Sequence, residues 1–176
     1  VRIAAPNQTA YGDNAVYDVG KGFLVLTGKV RLVTETDQIS ARDSLEYWEK
    51  RSFAVARGEA TAVRGDRRLA ADVLVAHFKK SGDGTSKVHE IEAFDNVLIS
   101  SPEEIVRAEH GIYDVETGIA TLTGSVTITR GENHLNGARA RVNLNTGVSS
   151  IMGGRQGVRG YLAPGQKDNL RQHKDR

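Results

Sequence analysis

The sequence predicts an all-β protein whose core is built from a repeated strand-turn-strand unit. Three observations support this prediction: one segment occurs twice, apolar residues alternate with polar ones, and turn signals such as SGDGTS and RGEN separate the alternating segments. A helical apolar period is hard to find, and its nearest candidate, EEIVRAEHGIY, becomes a strand when the copies are aligned. We therefore expect ten or more short strands.

The repeat is clearest in AVYDVGKGFLVLTGKVRL (15–32) and GIYDVETGIATLTGSVTI (111–128), which share the pattern Y-D-V-x-x-G-x-x-x-L-T-G-x-V. The glycine that ends LTG is Gly28 in one copy and Gly124 in the other. The remaining copies place Gly58, Asp95 and Gly153 in the same slot, with an insertion (79–87) before Asp95. The unit is thus about 30 residues long and occurs five times. Because one such unit cannot bury its own apolar face, neighbouring units must stack.

Alternation within each unit predicts which side chains point inward. One parity collects the apolar residues, and Thr27, Lys29 and Arg31 lie on the other. A second strand follows in each unit, marked by an apolar-x-small pattern such as Ile39-x-Ala41. Its parity is constant from Ile39 to Tyr47 but switches after Leu135, which a β-bulge would reconcile.

Composition excludes several classes of protein. The 176 residues carry a formal net charge of +2, which argues against a dedicated nucleic-acid binder. The absence of cysteine excludes disulfides and thiolate metal sites, and it fits either the cytoplasm or the periplasm. No run approaches the ~18 apolar residues of a membrane span. The segment 163–176 has no apolar period and is predicted to be a polar, solvated tail.

The inward residues of the second copy are all small: Ala56, Gly58, Ala60 and Ala62. Since protein interiors are close-packed, such a patch needs large neighbours or leaves an elongated apolar space that would suit acyl chains. The alternative is that an aromatic side chain fills the space, and this choice stays open. The aromatic candidates are Trp48, Phe53, Phe78 and Phe94.

Candidate polar sites are few. Arg57, Arg64, Arg67 and Arg68 cluster around the second unit, where they would either meet phosphates or form a soluble face. The five histidines show no zinc-ligand spacing. Asp18 and Asp114 occupy equivalent repeat positions before turns, so they are expected to form turns rather than an acid–base pair. We expect no active site and no metal or cofactor.

The motifs resemble those of the OstA-like family of lipopolysaccharide-transport proteins. The similarity runs from Tyr11 to about Leu162 and rests on the two YDV…LTG segments, on LAAD (69–72) and on VRGYLAPG (158–165), which is similar to the ending of many alphaproteobacterial members. The third copy, AFDNV, is degenerate. The usual opening strand of the family is represented by at most a remnant in VRIAAPNQ.

The resemblance implies a twisted β-jellyroll or β-taco of two antiparallel sheets over residues 1–162. It implies a periplasmic protein, its signal peptide removed, that holds lipopolysaccharide acyl chains in its apolar interior and performs no catalysis. It also implies end-to-end stacking, both with itself and with inner-membrane-anchored and outer-membrane partners that share the fold. The interior lining carried over to this chain, which the parity also supports, consists of Leu26, Val30, Leu32, Ala56, Ala60, Ala62, Val97, Ile99, Leu122, Val126 and Ile128.

Two other classes compete with this interpretation. A self-assembling β-solenoid scaffold with a filled core would use the same repeats without a lipid, although the small inward patch counts against it. A β-helix enzyme would need a convergent cluster of charged residues, and the sequence shows none. A variant of the transport interpretation is the corresponding domain of an outer-membrane or membrane-anchored partner.

Overall fold

A computed structural model describes residues 1–161, and the predicted tail at 163–176 lies outside this range. The described chain forms strands almost throughout, with one 3-10 turn at Glu49–Arg51. The strands are β1 (Arg2–Ala5), β2 (Gln8–Tyr11), β3 (Asn14–Asp18), β4 (Phe23–Thr27), β5 (Val30–Thr34), β6 (Gln38–Ala41), β7 (Ser44–Trp48), β8 (Phe53–Arg64), β9 (Arg67–Lys80), β10 (Ser86–Ser100), β11 (Ile105–Asp114), β12 (Ile119–Arg130), β13 (Asn133–Asn143), β14 (Ser149–Met152) and β15 (Arg159–Tyr161). The all-β prediction is confirmed.

All strands belong to one antiparallel, open sheet. Its main path runs β1-β2-β5-β6-β8-β9-β10-β11-β12-β13-β14. Strands β3, β4 and β7 join it through β8, and β15 pairs with β13. The two sheets expected from the sequence are two arms of this single sheet, because β8 to β13 run through both of them.

The arms are defined by their strand segments. The first arm contains β3, β4, β7, β14 and residues 53–57, 73–80, 86–94, 110–114, 119–123 and 139–143. The second arm contains β1, β2, β5, β6, β15 and residues 60–64, 67–71, 97–100, 105–108, 126–130 and 133–137. Each long strand therefore crosses from one arm to the other at a corner.

The corners explain why LTG is repeated. At Gly124 and Ser125 the backbone takes two consecutive left-handed conformations, with φ of 81° and 46°. The same pair of conformations recurs at 28–29, 58–59 and 95–96, so the alignment of four repeat copies corresponds to four equivalent corners. Glycine suits the first position because it adopts positive φ without strain, and Asp95 occupies that position in the degenerate third copy. Gly153 follows β14 and takes no part in a corner.

An acidic side chain from an earlier segment of the chain packs over each glycine corner. A Cβ built on Gly124 would lie 2.5 Å from Oε2 of Glu109 and 2.7 Å from its Cβ. Asp13 and Asp43 occupy the corresponding positions over Gly28 and Gly58. The acid that follows the apolar-x-small motif thus excludes any larger residue at the next corner.

The core lies between the two arms and contains no buried polar side chain within residues 1–161. Alanines contribute a large share of it, from Ala41 on β6 to Ala140 on β13. Small side chains on both arms allow the two layers to approach closely and to pack without large fillers.

The aromatic residues considered as fillers lie on both faces of the first arm. Phe78 shares the inward parity of Leu74 and packs edge-on against Tyr47, with ring centroids 5.8 Å apart. Trp48, Phe53 and Phe94 have the opposite parity and lie on the outer face. The small residues of the second copy are therefore covered chiefly by the approach of the other arm.

The N-terminal segment forms a paired strand, whereas the sequence indicated at most a remnant of one. Residues Arg2–Ala5 form β1 and pair with β2, with Arg2 opposite Tyr11. All four residues of β1 are exposed, so the strand lacks the apolar alternation by which it could have been recognised.

Candidate functional site

The inward faces of the two arms form the candidate site. Strand alternation places all eleven predicted lining residues on these faces. Buried members are Leu26, Val30, Ala56, Ala60, Val97, Leu122, Val126 and Ile128, and partly buried members are Leu32, Ala62 and Ile99. The structure thus brings the predicted residues together, while their contact with a ligand stays a prediction.

Corner geometry keeps both halves of each strand facing inward. On a strand with two left-handed residues, buried positions on either side of the corner are four residues apart, as with Leu122 and Val126. On the neighbouring strand the spacing is three, as with Ala108 and Gly111, and the pairing register shifts by one residue there. The register between β12 and β13 shifts in the same way, and Leu135 and Ala140 lie on either side of that shift. The shift accounts for the change of inward parity after Leu135 that the sequence shows.

Residues from both arms line one shared interior. A small cavity between them is bordered by Leu69, Val97 and Ile99 of the second arm and by Ile91 and Tyr113 of the first. Its volume is about 10 Å³, no more than one water molecule would occupy. The interior is therefore closed in this conformation. Ile91, Leu69 and Tyr113 were not among the predicted lining residues, although the apolar-x-small motif marks Leu69.

Exposed large apolar side chains concentrate at the two ends of the sheet. At the N-terminal end they are Val1, Ile3, Tyr11, Val16, Tyr17 and Val19. At the C-terminal end they are Val148, Met152, Val158 and Tyr161. Within the described range, Ile105 is the remaining example and lies away from both ends. Strands β1, β3, β14 and β15 each pair on one side within residues 1–161, so each end presents open strand edges.

The structure divides the predicted basic cluster, with Arg64, Arg67 and Arg68 together at the tip of β8 and β9 and Arg57 on the other arm. Arg57 Nε lies 2.9 Å from Glu46 Oε1 on the first arm. Arg64 donates from Nε and Nη2 to the Asp37 carboxylate at 2.5 and 2.7 Å on the second arm. The hydrogen bonds from Arg64 lower the pKa of Asp37. Arg67 and Arg68 are exposed at the start of β9.

The repeated aspartates form turns. Asp18 accepts a hydrogen bond from the Lys21 backbone N–H and Asp114 accepts one from the Thr117 N–H, each at 2.9 Å. These backbone hydrogen bonds are the main cause of the lowered pKa of each carboxyl.

Folding brings together one group of possible cation ligands that sequence spacing did not reveal. Ligand atoms of His77, Glu90 and Glu92 lie within 4.8 Å of one another on the outer face of β9 and β10. His77 pairs with Glu90 across the two strands, a relation that only the sheet register creates. No helix in the described part of the chain is long and apolar enough to span a membrane.

Comparison with known protein families assigns the chain to a family of lipopolysaccharide-transport proteins. Residues 38–148, more than half of the chain, match the family described as LptA/(LptD N-terminal domain) LPS transport protein. The chain belongs to this family, which confirms the identification made from the repeated motifs. The alphaproteobacterial ending lies beyond the matched residues and stays a prediction.

Among solved structures, the chain is similar to LptH, the LptA-homologous periplasmic component of the conserved lipopolysaccharide transport device from Pseudomonas aeruginosa. The two share 11% sequence identity with a TM-score of 0.40, over 89% of this chain and 95% of that one. No curated protein matches the sequence.

Proposed function

We propose that this protein is a periplasmic carrier that holds the acyl chains of lipopolysaccharide between its two arms and passes the lipid along without changing it chemically. The observation that carries the proposal is the single apolar interior, bordered by both arms, in a chain of a lipopolysaccharide-transport family. Carbohydrate and phosphate groups of the lipid would remain in solvent, where the exposed Arg67 and Arg68 could meet phosphates.

Because the interior is closed, binding requires the arms to separate. The backbone hydrogen bonds of the sheet run between neighbouring strands of the same arm, so separation breaks none of them away from the corners. What separation exposes is the apolar lining, and acyl chains would cover that lining again. The sheet therefore has a mechanism for opening that keeps its secondary structure intact.

We further propose that copies of the chain stack end to end, with the C-terminal edge of one pairing with the N-terminal edge of the next. The supporting observation is the concentration of exposed apolar side chains at the two open ends. Antiparallel or parallel addition of a strand to a free edge supplies main-chain hydrogen bonds as well as apolar contacts. The same edges would receive inner-membrane-anchored and outer-membrane partners of this fold.

A photocrosslinking experiment tests the ligand site. A photoreactive amino acid is placed at Ile99, which faces inward and is partly buried, and in a matched variant at its neighbour Leu98, which faces outward. With purified lipopolysaccharide, we expect strong crosslinking from position 99 and little from position 98. Equal or absent crosslinking from two folded variants would contradict the proposal.

A second candidate function is a self-assembling scaffold with a filled core and no lipid ligand. The observation in its favour is the close packing of the two arms around a cavity of only about 10 Å³. The scaffold predicts end-to-end assembly without crosslinking at position 99, so the same experiment separates the two candidates.

The assembly itself is tested by placing charge at the N-terminal edge. Substituting Val16→Lys and Tyr17→Lys on β3 should reduce the apparent mass measured by light scattering, because docking would then bury lysine charges in an apolar contact. The matched control is Ile105→Lys, an exposed apolar position away from both ends. If the edge variant and the control assemble to the same extent, this arrangement is wrong.

A further inference from the structure

The tips of the two arms are tied together near the C-terminal end of the sheet. On the second arm, Glu104 lies in the turn between β10 and β11, and Arg130 ends β12. Nη2 of Arg130 lies 2.9 Å from Oε2 of Glu104. Across the mouth, the first arm contributes Gly147, from the turn after β13, and Ser149, the first residue of β14.

Both charged residues reach across to the first arm. Arg130 Nη2 donates to the carbonyl oxygen of Gly147 at 3.2 Å. Ser149 Oγ donates to Oε1 of Glu104 at 3.4 Å. Every other ion pair within residues 1–161 lies inside one arm or at a corner. The Glu104–Arg130 pair is thus the ion pair that also bridges the two tips.

We propose that Glu104, Arg130, Gly147 and Ser149 form a clasp that holds the C-terminal half of the interior closed and must release before acyl chains enter there. This proposal rests on the lipid-carrier function and adds a control on its opening. Glu104 is the central residue of the clasp. Its side chain is only 11% exposed, whereas that of Arg130 is 49% exposed. Its two carboxylate oxygens are divided between Arg130 of its own arm and Ser149 of the other.

Release of the clasp breaks the two hydrogen bonds that cross the mouth and leaves the Glu104–Arg130 pair on its own arm. When the tips separate, Glu104 loses a hydrogen bond that it has in the closed state, and water must replace it. Hydrogen bonds to charged groups are stronger than those between neutral groups, so the clasp favours the closed state more than two neutral contacts would. The contacts are also few and partly solvated, so they can be released without unfolding the sheet.

Distances between the tips test the clasp without any lipid. The chain has no cysteine, so two introduced cysteines are the only sites for spin labels. They are placed at Glu132 in the turn after β12 and at Glu116 in the turn before it, which lie at exposed tips of opposite arms. Electron–electron dipolar spectroscopy then reports the separation of the arms.

The clasp is removed by Glu104→Ala with Arg130→Ala, and if that protein fails to fold, by Arg130→Ala with Ser149→Ala, which removes both donors that bridge the mouth. The matched control is Asp37→Ala with Arg64→Ala, an ion pair of shorter contacts within the second arm. We expect longer or broader tip distances in the clasp variant only. We also expect lipopolysaccharide to associate with that variant roughly three- to tenfold faster, the range expected from losing one or two such contacts.

The outcomes separate this proposal from the carrier function. Unchanged tip distances in the folded clasp variant would overturn the clasp, whatever the lipid does. Wider distances with an unchanged association rate would overturn its role in admitting lipid. If the wild-type protein binds no lipopolysaccharide, the carrier function fails, while the distances still decide whether the clasp holds the arms together.

Discussion

The corner glycines offer the sharpest test of how the sequence shapes the sheet. In Gly124→Ala, the new Cβ must occupy a left-handed conformation and would lie 2.5 to 2.8 Å from three atoms of Glu109. The left-handed backbone costs a residue with a Cβ about 1–2 kcal/mol. Forcing the packed neighbour aside adds about 1–3 kcal/mol. We therefore expect the variant to lose about 2–5 kcal/mol of unfolding free energy.

The matched control is Gly131→Ala. Gly131 has a φ of 57°, and a Cβ there would meet nothing within 4 Å. The Gly131→Ala substitution should lower the free energy of unfolding by about 1–2 kcal/mol, the cost of the left-handed backbone conformation alone. Urea unfolding of both variants measures the difference, which in a thermal melt corresponds to roughly 2–4 °C per kcal/mol for a chain of this size. If Gly124→Ala costs no more than Gly131→Ala, the acid over the corner is not what requires glycine.

Three further predictions concern the core, the third corner and pH. Leu122→Ala should lower the unfolding free energy by about 2–5 kcal/mol in urea, whereas its exposed neighbour Thr121→Ala should change it by less than about 0.5 kcal/mol. Asp95→Gly should raise the melting temperature, because Asp95 has a φ of 60° where the other corners have glycine; a lower melting temperature would refute this. The pKa of Asp37 is lowered by Arg64, so the ion pair stabilises the fold above the ordinary aspartate pKa and loses this effect as pH falls through the lowered pKa. Asp37→Asn should therefore destabilise by up to about 1 kcal/mol at pH 7 but by less at pH 3, and an equal loss at both pH values would contradict the assignment.

Much of the fold was predictable because its signals are local. Alternation around Leu122 and Val126 identified the inward face, and the LTG glycines identified the equivalent points of the copies. The structural role of the LTG glycine was not predictable. A glycine followed by one residue within an apolar run is compatible with the end of a strand, with a hairpin or with a bend. Only the register between neighbouring strands shows that the six strands from β8 to β13 continue through the corner and join the two arms into one sheet.

The state of the interior depended on information that local pattern lacks. The small residues around Ala60 were compatible with an open space or a filled one, because the answer depends on how closely the arms approach. Ala60 is fully buried in the closed structure. Sequence analysis could not predict the clasp at Glu104 or the outer-face group around His77. In both places the fold brings together residues that are far apart in the sequence.

Methyl-resolved NMR tests the central claim most directly, since it needs no substitution in the closed core. Methyl groups of Ile, Leu, Val and Ala are labelled, lipopolysaccharide is added, and contacts between acyl-chain protons and protein methyls are measured as nuclear Overhauser effects. The account predicts contacts to the interior methyls of Val97, Ile99 and Leu122 and none to the outward methyls of Val75 and Leu98. Contacts confined to the outward methyls, with the interior resonances unchanged, would contradict it.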